Sequence, residues 1–118
     1  MSAPGSERFD GLPRRELASG RVVIEAATGR SRRLGLARLD SLARDQALQI
    51  PRCSAVHTFT MRFGLDLIWL DRHGGVVRVD HDVAPNRMRI CPRAKSVVET
   101  LAGEADAYLQ SGLDRADK

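Results

Sequence analysis

Cys53, His57 and Met61 stand four residues apart in one stretch of the chain. Thiolate, imidazole and thioether are the soft or borderline donors that suit Cu(I). On a straight strand the three share a face, but each step of four covers about 13 Å, too far for a common ion. A shared metal would need the chain to turn near Cys53, or Cys91 to complete the set. Cys53 with His57 is also a nucleophile and base by type, under the same distance limit and without a recognisable oxyanion loop or orienting acid. The plainer assignment has no metal and makes His57 a hydrogen-bonded residue on an apolar face.

Carboxylates for acid–base work stand at Asp66, Asp71, Asp80 and Asp82. Asp71 is simplest as a turn residue, and Asp80 and Asp82 as outward-facing residues of a strand. Asp66 differs, because it lies inside LDLIWL, where a carboxylate is expelled unless paired or hydrogen-bonded. Arg62 is the nearest cation, and a bend at Gly64 brings it within reach. The expectation is a structural Arg62–Asp66 brace, with a ligand-facing pair as the sharper alternative. His57, Met61, Arg62, Asp66 and Asp71 thus form the candidate ligand-binding set. No catalytic residue and no cofactor is assigned.

The elements that position these residues are short. Residues 1–19, with Pro4, Gly5, Gly11 and Pro13, read as a flexible lead, so order is expected to begin at Arg21. Val22, Val23 and Ile24 make a strand. Thr28 caps a helix expected to run to Leu39, with Leu34, Leu36 and Leu39 among Arg30, Arg32, Arg33 and Arg38, and with Gly35 as its weak point. Ala47 to Ile50 is a strand closed by Pro51. The strict alternation from Ser54 to Phe63 predicts the clearest strand of the chain, interrupted at Gly64. Leu65 to Leu70 is apolar on both faces, as in a central strand. Asp71 to Gly75 is a hairpin turn, Val76 to Val83 the return strand, Ser96 to Leu101 another strand, and a helix follows Gly103. The order β-α-β-β-β-β-β-α predicts an α+β domain with a mixed or antiparallel curled sheet of about five to six strands and two helices.

At 118 residues there is room for one core, drawn from Leu, Val, Ile and Ala because aromatics are only 4%. No apolar run is long enough to span a bilayer, and the N-terminus lacks the apolar segment of a secretory signal, so a cytoplasmic location without membrane attachment is expected. Up to Arg62 there are eleven Arg against six acids. Such a surplus suits a polyanion, but exposed aromatics to stack on bases are scarce, so nucleic acid is not the expected partner. Cys53 and Cys91 form no CxxC pair and are expected as free thiols.

The stretch from Pro51 to Phe63, with LDLIWLD from Leu65 and Gly75-Val76-Val77, resembles the domain-of-unknown-function family 192. So do Arg32 to Leu36 and the segment from Val97 to Gly103. The resemblance covers about residues 20–113, leaving 114–118 as a tail, and it implies a compact α+β domain of one sheet and a few helices. It implies no established activity, and many relatives look exported or membrane-anchored. The chain departs from the family pattern at Thr60, where Gly commonly precedes the Met, and at Gly64, where Pro is common. It also lacks the final strand many relatives carry. The expected function is a non-enzymatic small-ligand or protein interaction module whose ligand, partner and oligomeric state the sequence leaves open. The alternative is a small enzyme or carbohydrate-directed accessory domain with a site around His57, Arg62 and Asp66.

Overall fold

Leu65–Leu70 (β5) is buried at all six positions, which only a strand covered on both faces can be. In the computed structural model, which describes residues 6–113, β5 lies between β8 (Ser96–Leu101) and β6 (Val76–Val83), antiparallel to both. Beyond β8 come β3 (Gln46–Pro51), β2 (Val22–Glu25) and β1 (Arg14–Glu16). The six-stranded order is β1-β2-β3-β8-β5-β6. The β2–β3 pair alone is parallel, so the sheet is mixed. Its parallel crossover contains the first helix, α1 (Gly29–Leu34). The second helix, α2 (Ala105–Gln110), follows β8. Two short strands, β4 (Ala55–His57) and β7 (Met88–Ile90), make a separate antiparallel ribbon.

Alternation along the central strands divides the core in two. Ile24, Leu48, Ile50, Leu65, Leu67, Trp69 and Val97 point to one face, covered by Leu36, Leu39 and Leu42 after α1 and by Val56 of β4. Val23, Ala47, Ile68, Leu70 and Val98 point to the other, covered by Ala105 and Tyr108 of α2 and by Leu113. The domain is therefore three layers, with the sheet in the middle.

Several expectations need correction. Order begins before Arg21: Arg14–Glu16 pairs with β2, and Phe9 is buried in the core. Helix α1 does begin at Thr28, whose Oγ1 accepts from Ser31 N while Ser31 Oγ accepts from Thr28 N. It stops at Gly35, not Leu39, because Gly35 takes φ +50° and its N–H closes the last turn on Ser31 O. The alternating stretch 54–63 forms only three residues of strand. Thr58 ends it: its carbonyl accepts from Met61 N and Asn86 N, and its hydroxyl donates to Ala84 O and accepts from Arg87 N. Those bonds turn the chain back on itself, a competition between local polar bonds and sheet pairing.

Candidate functional site

Between the sheet and the layer formed by α1 and β4 lies a cleft of about 210 Å³. Ile50, Val56 and Met61 supply apolar wall, Cys53 and His57 stand along it, and Arg32 and Arg33 come from α1. The turn at Thr58 is what returns Met61 to the same space as Cys53 and His57. Arg32 is fastened, its Nε donating to Pro51 O at 3.1 Å and its Nη2 to Arg52 O at 3.0 Å. Arg33 is exposed and makes no hydrogen bond or ion pair among the described residues.

Glu99 of β8 also lines this cleft, and it is 1% exposed. Its strand neighbours are Leu48 of β3 and Leu67 of β5. Its Oε1 has no hydrogen-bond partner. A Cβ placed on Gly35 would sit 3.8 Å from that oxygen, so the glycine ending α1 lies directly against the carboxyl. Burial among aliphatic side chains penalises the charged form and pushes the Glu99 pKa up to about 7. Buried polar atoms are nearly always satisfied in folded proteins. Glu99 thus places an unpaired carboxyl group in the cleft wall, with its pKa raised towards neutrality by burial.

The other residues selected from the sequence scatter. His57 and Met61 do line the cleft. His57 is exposed and its ring stacks on Phe59, 5.1 Å between centroids. Cys53 donates its thiol to Ala55 O at 3.1 Å. Burial is the main reason its pKa is raised, and Glu99 adds to it. A protonated thiol is a poor nucleophile, and no hydrogen bond joins it to His57 among the described residues. Cys91 is buried in the core, both thiols are free, and no cluster of three His, Cys, Asp or Glu suited to a metal occurs among the described residues.

The Arg62–Asp66 brace is not formed. Arg62 is exposed and pairs with Asp40. Asp66 is buried on the α2 face and takes its hydrogen bonds from the backbone: Asp82 N donates to Oδ1 at 2.8 Å, and Gly103 N and Ala105 N donate to Oδ2 at 3.0 Å, while the exposed His81 ring stands beside it with Nδ1 3.8 Å from Oδ2. The irregularity of β6 at Asp82, which takes φ +52°, and the turn after β8 bring these amide groups to the carboxylate, so Arg62 is not required. Asp71 closes the hairpin turn, accepting from His73 N and Gly75 N, bonds that lower its pKa. Asp80 faces inward rather than to solvent, accepting from the Trp69 indole and from Arg78.

Glu99 is the residue missed in the sequence. Its signal was the one that singled out Asp66, an acid inside a strand otherwise rich in buried apolar residues, with Val97 and Val98 before it and Leu101 after it.

Two solved structures share this fold. A candidate transcription regulator from Sinorhizobium meliloti 1021 superposes with a TM-score of 0.66 at 20% identity, over 80% of this chain and 81% of that one. A protein of unknown function from Novosphingobium aromaticivorans DSM 12444 gives 0.68 at 17% identity, over 95% and 88%. At such identities the likeness is one of fold. No curated protein matches the sequence. The family model DUF192, described as "Uncharacterized ACR", matches residues 13–117, nearly the whole length, and the chain belongs to the DUF192 family.

Proposed function

We propose that this protein is a small-ligand-binding module without catalytic activity, and that its site is the cleft over Glu99. The observation that carries this is the unpartnered, buried carboxyl group in the cleft wall. In a core selected for stability alone, an aliphatic residue would fill that position between Leu48 and Leu67 at lower cost. A ligand that supplies the missing hydrogen bond recovers part of the desolvation cost on binding. His57 and Met61 keep their place in the site, joined by Cys53, Arg33 and Glu99.

The enzyme or carbohydrate-directed alternative around His57, Arg62 and Asp66 has less support, since Arg62 pairs with Asp40 and Asp66 accepts backbone amides on the face of the sheet away from His57. Nucleic acid is also disfavoured. Helix α1 is only six residues long, and Arg32 is committed to backbone carbonyls. No helix among the described residues is long and apolar enough to cross a membrane. A reducing cytoplasmic setting suits the two free thiols.

Methyl NMR with labelled Met and Ile tests the proposal. Met61 and Ile50 line the cleft, while Met88 and Ile90 are exposed on the β4–β7 ribbon and do not line it. Titration with a panel of small polar fragments should shift Met61 and Ile50 selectively. A panel that leaves both unmoved, or moves Met88 and Ile90 equally, overturns the assignment.

A further inference from the structure

Given that the cleft is a ligand site, on which this step rests, its charges narrow what it takes. Two kinds of group stand in one small space. At the sheet is a carboxyl, 1% exposed, with an oxygen that lacks a donor. On the α1 side are two guanidinium groups, of which Arg32 is bound to carbonyls and Arg33 is exposed without a partner among the described residues. Between them the wall is Ile50, Val56 and Met61.

We infer that the cleft selects small zwitterions, molecules with an amino or guanidino group for Glu99, an anionic group for Arg33, and a short apolar link between them.

Each end follows from what the protein leaves unsatisfied. The Glu99 oxygen wants an N–H donor, and a cationic nitrogen forms the stronger, charge-assisted bond with the ionised group. A ligand that is only cationic meets repulsion from two arginines on its way in. A ligand that is only anionic is drawn to Arg33 but leaves Glu99 without its donor, and it adds a negative charge near that carboxyl. A zwitterion satisfies both ends. The site is not a metal centre in this account, because the thiol is engaged with Ala55 O and Glu99 is the lone carboxylate in the cleft wall.

Binding of such a ligand is coupled to a proton. The groups facing Glu99 across the cleft are Arg32 and Arg33 from α1, Cys53 from the loop before β4, and His57 from β4. A bound ammonium or guanidinium favours ionised Glu99, so zwitterion binding releases a proton around neutral pH. A bound simple anion favours the protonated form and takes one up. The sign of proton exchange therefore separates the two ligand classes.

The experiment uses the whole chain and the ω-amino acids from glycine to 6-aminohexanoate, each compared with the alkylamine, the alkanoate and the diol of matching length. Affinity is read from the Met61 and Ile50 methyl shifts, and proton exchange from calorimetry in two buffers of different ionisation heat. At its best length the amino acid should bind at least about tenfold more tightly than either singly charged analogue, with proton release. Arg33→Ala should reduce it to the level of the amine, and Glu99→Gln should remove the proton release. Arg33 is exposed, so its variant tests the ligand and not the fold. If the diol or the alkanoate shifts Met61 as strongly as any amino acid, the cleft is a ligand site but the zwitterion assignment falls. If no probe of any class moves Met61 and Ile50, both fall together.

Discussion

Asp66 and Glu99 are both 1% exposed, and they stand on adjacent central strands where Leu67 pairs with Glu99 and Asp66 with Thr100. They face opposite sides of the same sheet and have opposite circumstances. Asp66, on the α2 side, accepts three backbone N–H groups, two of them from the turn leading into α2 and the first residue of that helix. It therefore ties the start of α2 to the sheet, satisfying orphan donors that the cap residue Glu104 leaves without a side-chain bond. Glu99, on the α1 side, has no partner for Oε1 and borders a cleft. Burial of an acid is thus no guide to its role. What distinguishes these two carboxylates is whether the fold itself supplies the donors.

The first way to break this comparison is to remove the structural member. Asp66→Ala strands the amides of Asp82, Gly103 and Ala105 in a buried setting. The expected loss is about 3–5 kcal/mol by chemical denaturation, most of it from unpaired donors. Hydrogen exchange at Gly103 and Ala105 should accelerate in the same variant. Stability close to wild type would mean that these amides find water or other partners, and Asp66 would cease to be a staple.

Glu99 should behave in the opposite sense. Its pKa, raised by burial to about 7 from an ordinary 4.5, means that the folded state holds the proton more tightly than the unfolded state. Stability from this group is full below pH 4.5. It declines as the unfolded chain ionises first, and is lost once pH passes the folded value. The decline amounts to about 3 kcal/mol across the window. Glu99→Gln cannot ionise, so its stability should fall less between acid and mildly alkaline pH, leaving it the more stable protein above neutrality. Urea denaturation of both proteins across that range checks the slope. Parallel curves would show that Glu99 is solvated or paired in solution, and the contrast with Asp66 would disappear.

Much of the fold was legible because its strongest signals are local. LDLIWL could only be a strand covered on both faces, and the Asp71–Gly75 turn with its return strand followed from glycine and alternation. Thr28 announced the start of α1. The elements that depart from local pattern share a cause, which is that tertiary bonds decide them. The alternation through 54–63 is real, but buried Thr58 bonds to three residues of the 84–87 loop, Ala84, Asn86 and Arg87, and ends the strand. Arg14–Glu16 carries no apolar period and is a strand only because β2 offers it an edge. The site was half legible. Its soft side chains, Cys53, His57 and Met61, were visible as a spacing, yet only the Thr58 turn places them round one cleft. The scattering of Arg62 and Asp66 has the same origin, because backbone amides arriving from residues 82, 103 and 105 are invisible to a search for a nearby cation.

The smallest expected effect is also the most discriminating for that last point. Arg62 pairs with Asp40 at the surface, where the two side chains are 56% and 72% exposed. Pairs of this kind gain little from attraction in high dielectric and lose side-chain entropy. Arg62→Ala should therefore change stability by no more than about 0.5 kcal/mol. If Arg62 is no partner of Asp66, the double variant Arg62→Ala/Asp66→Ala should lose the sum of the two single losses to within about 0.5 kcal/mol, because the residues share no partner. A buried ion pair predicts the reverse: a large loss from Arg62→Ala and a double variant much more stable than additivity allows, since neither charge would then be left alone. The double-mutant cycle thus separates two ways of keeping an acid inside LDLIWL, an ion pair with Arg62 or amides from the β6 irregularity and the turn after β8, and the three N–H bonds to Asp66 favour the second.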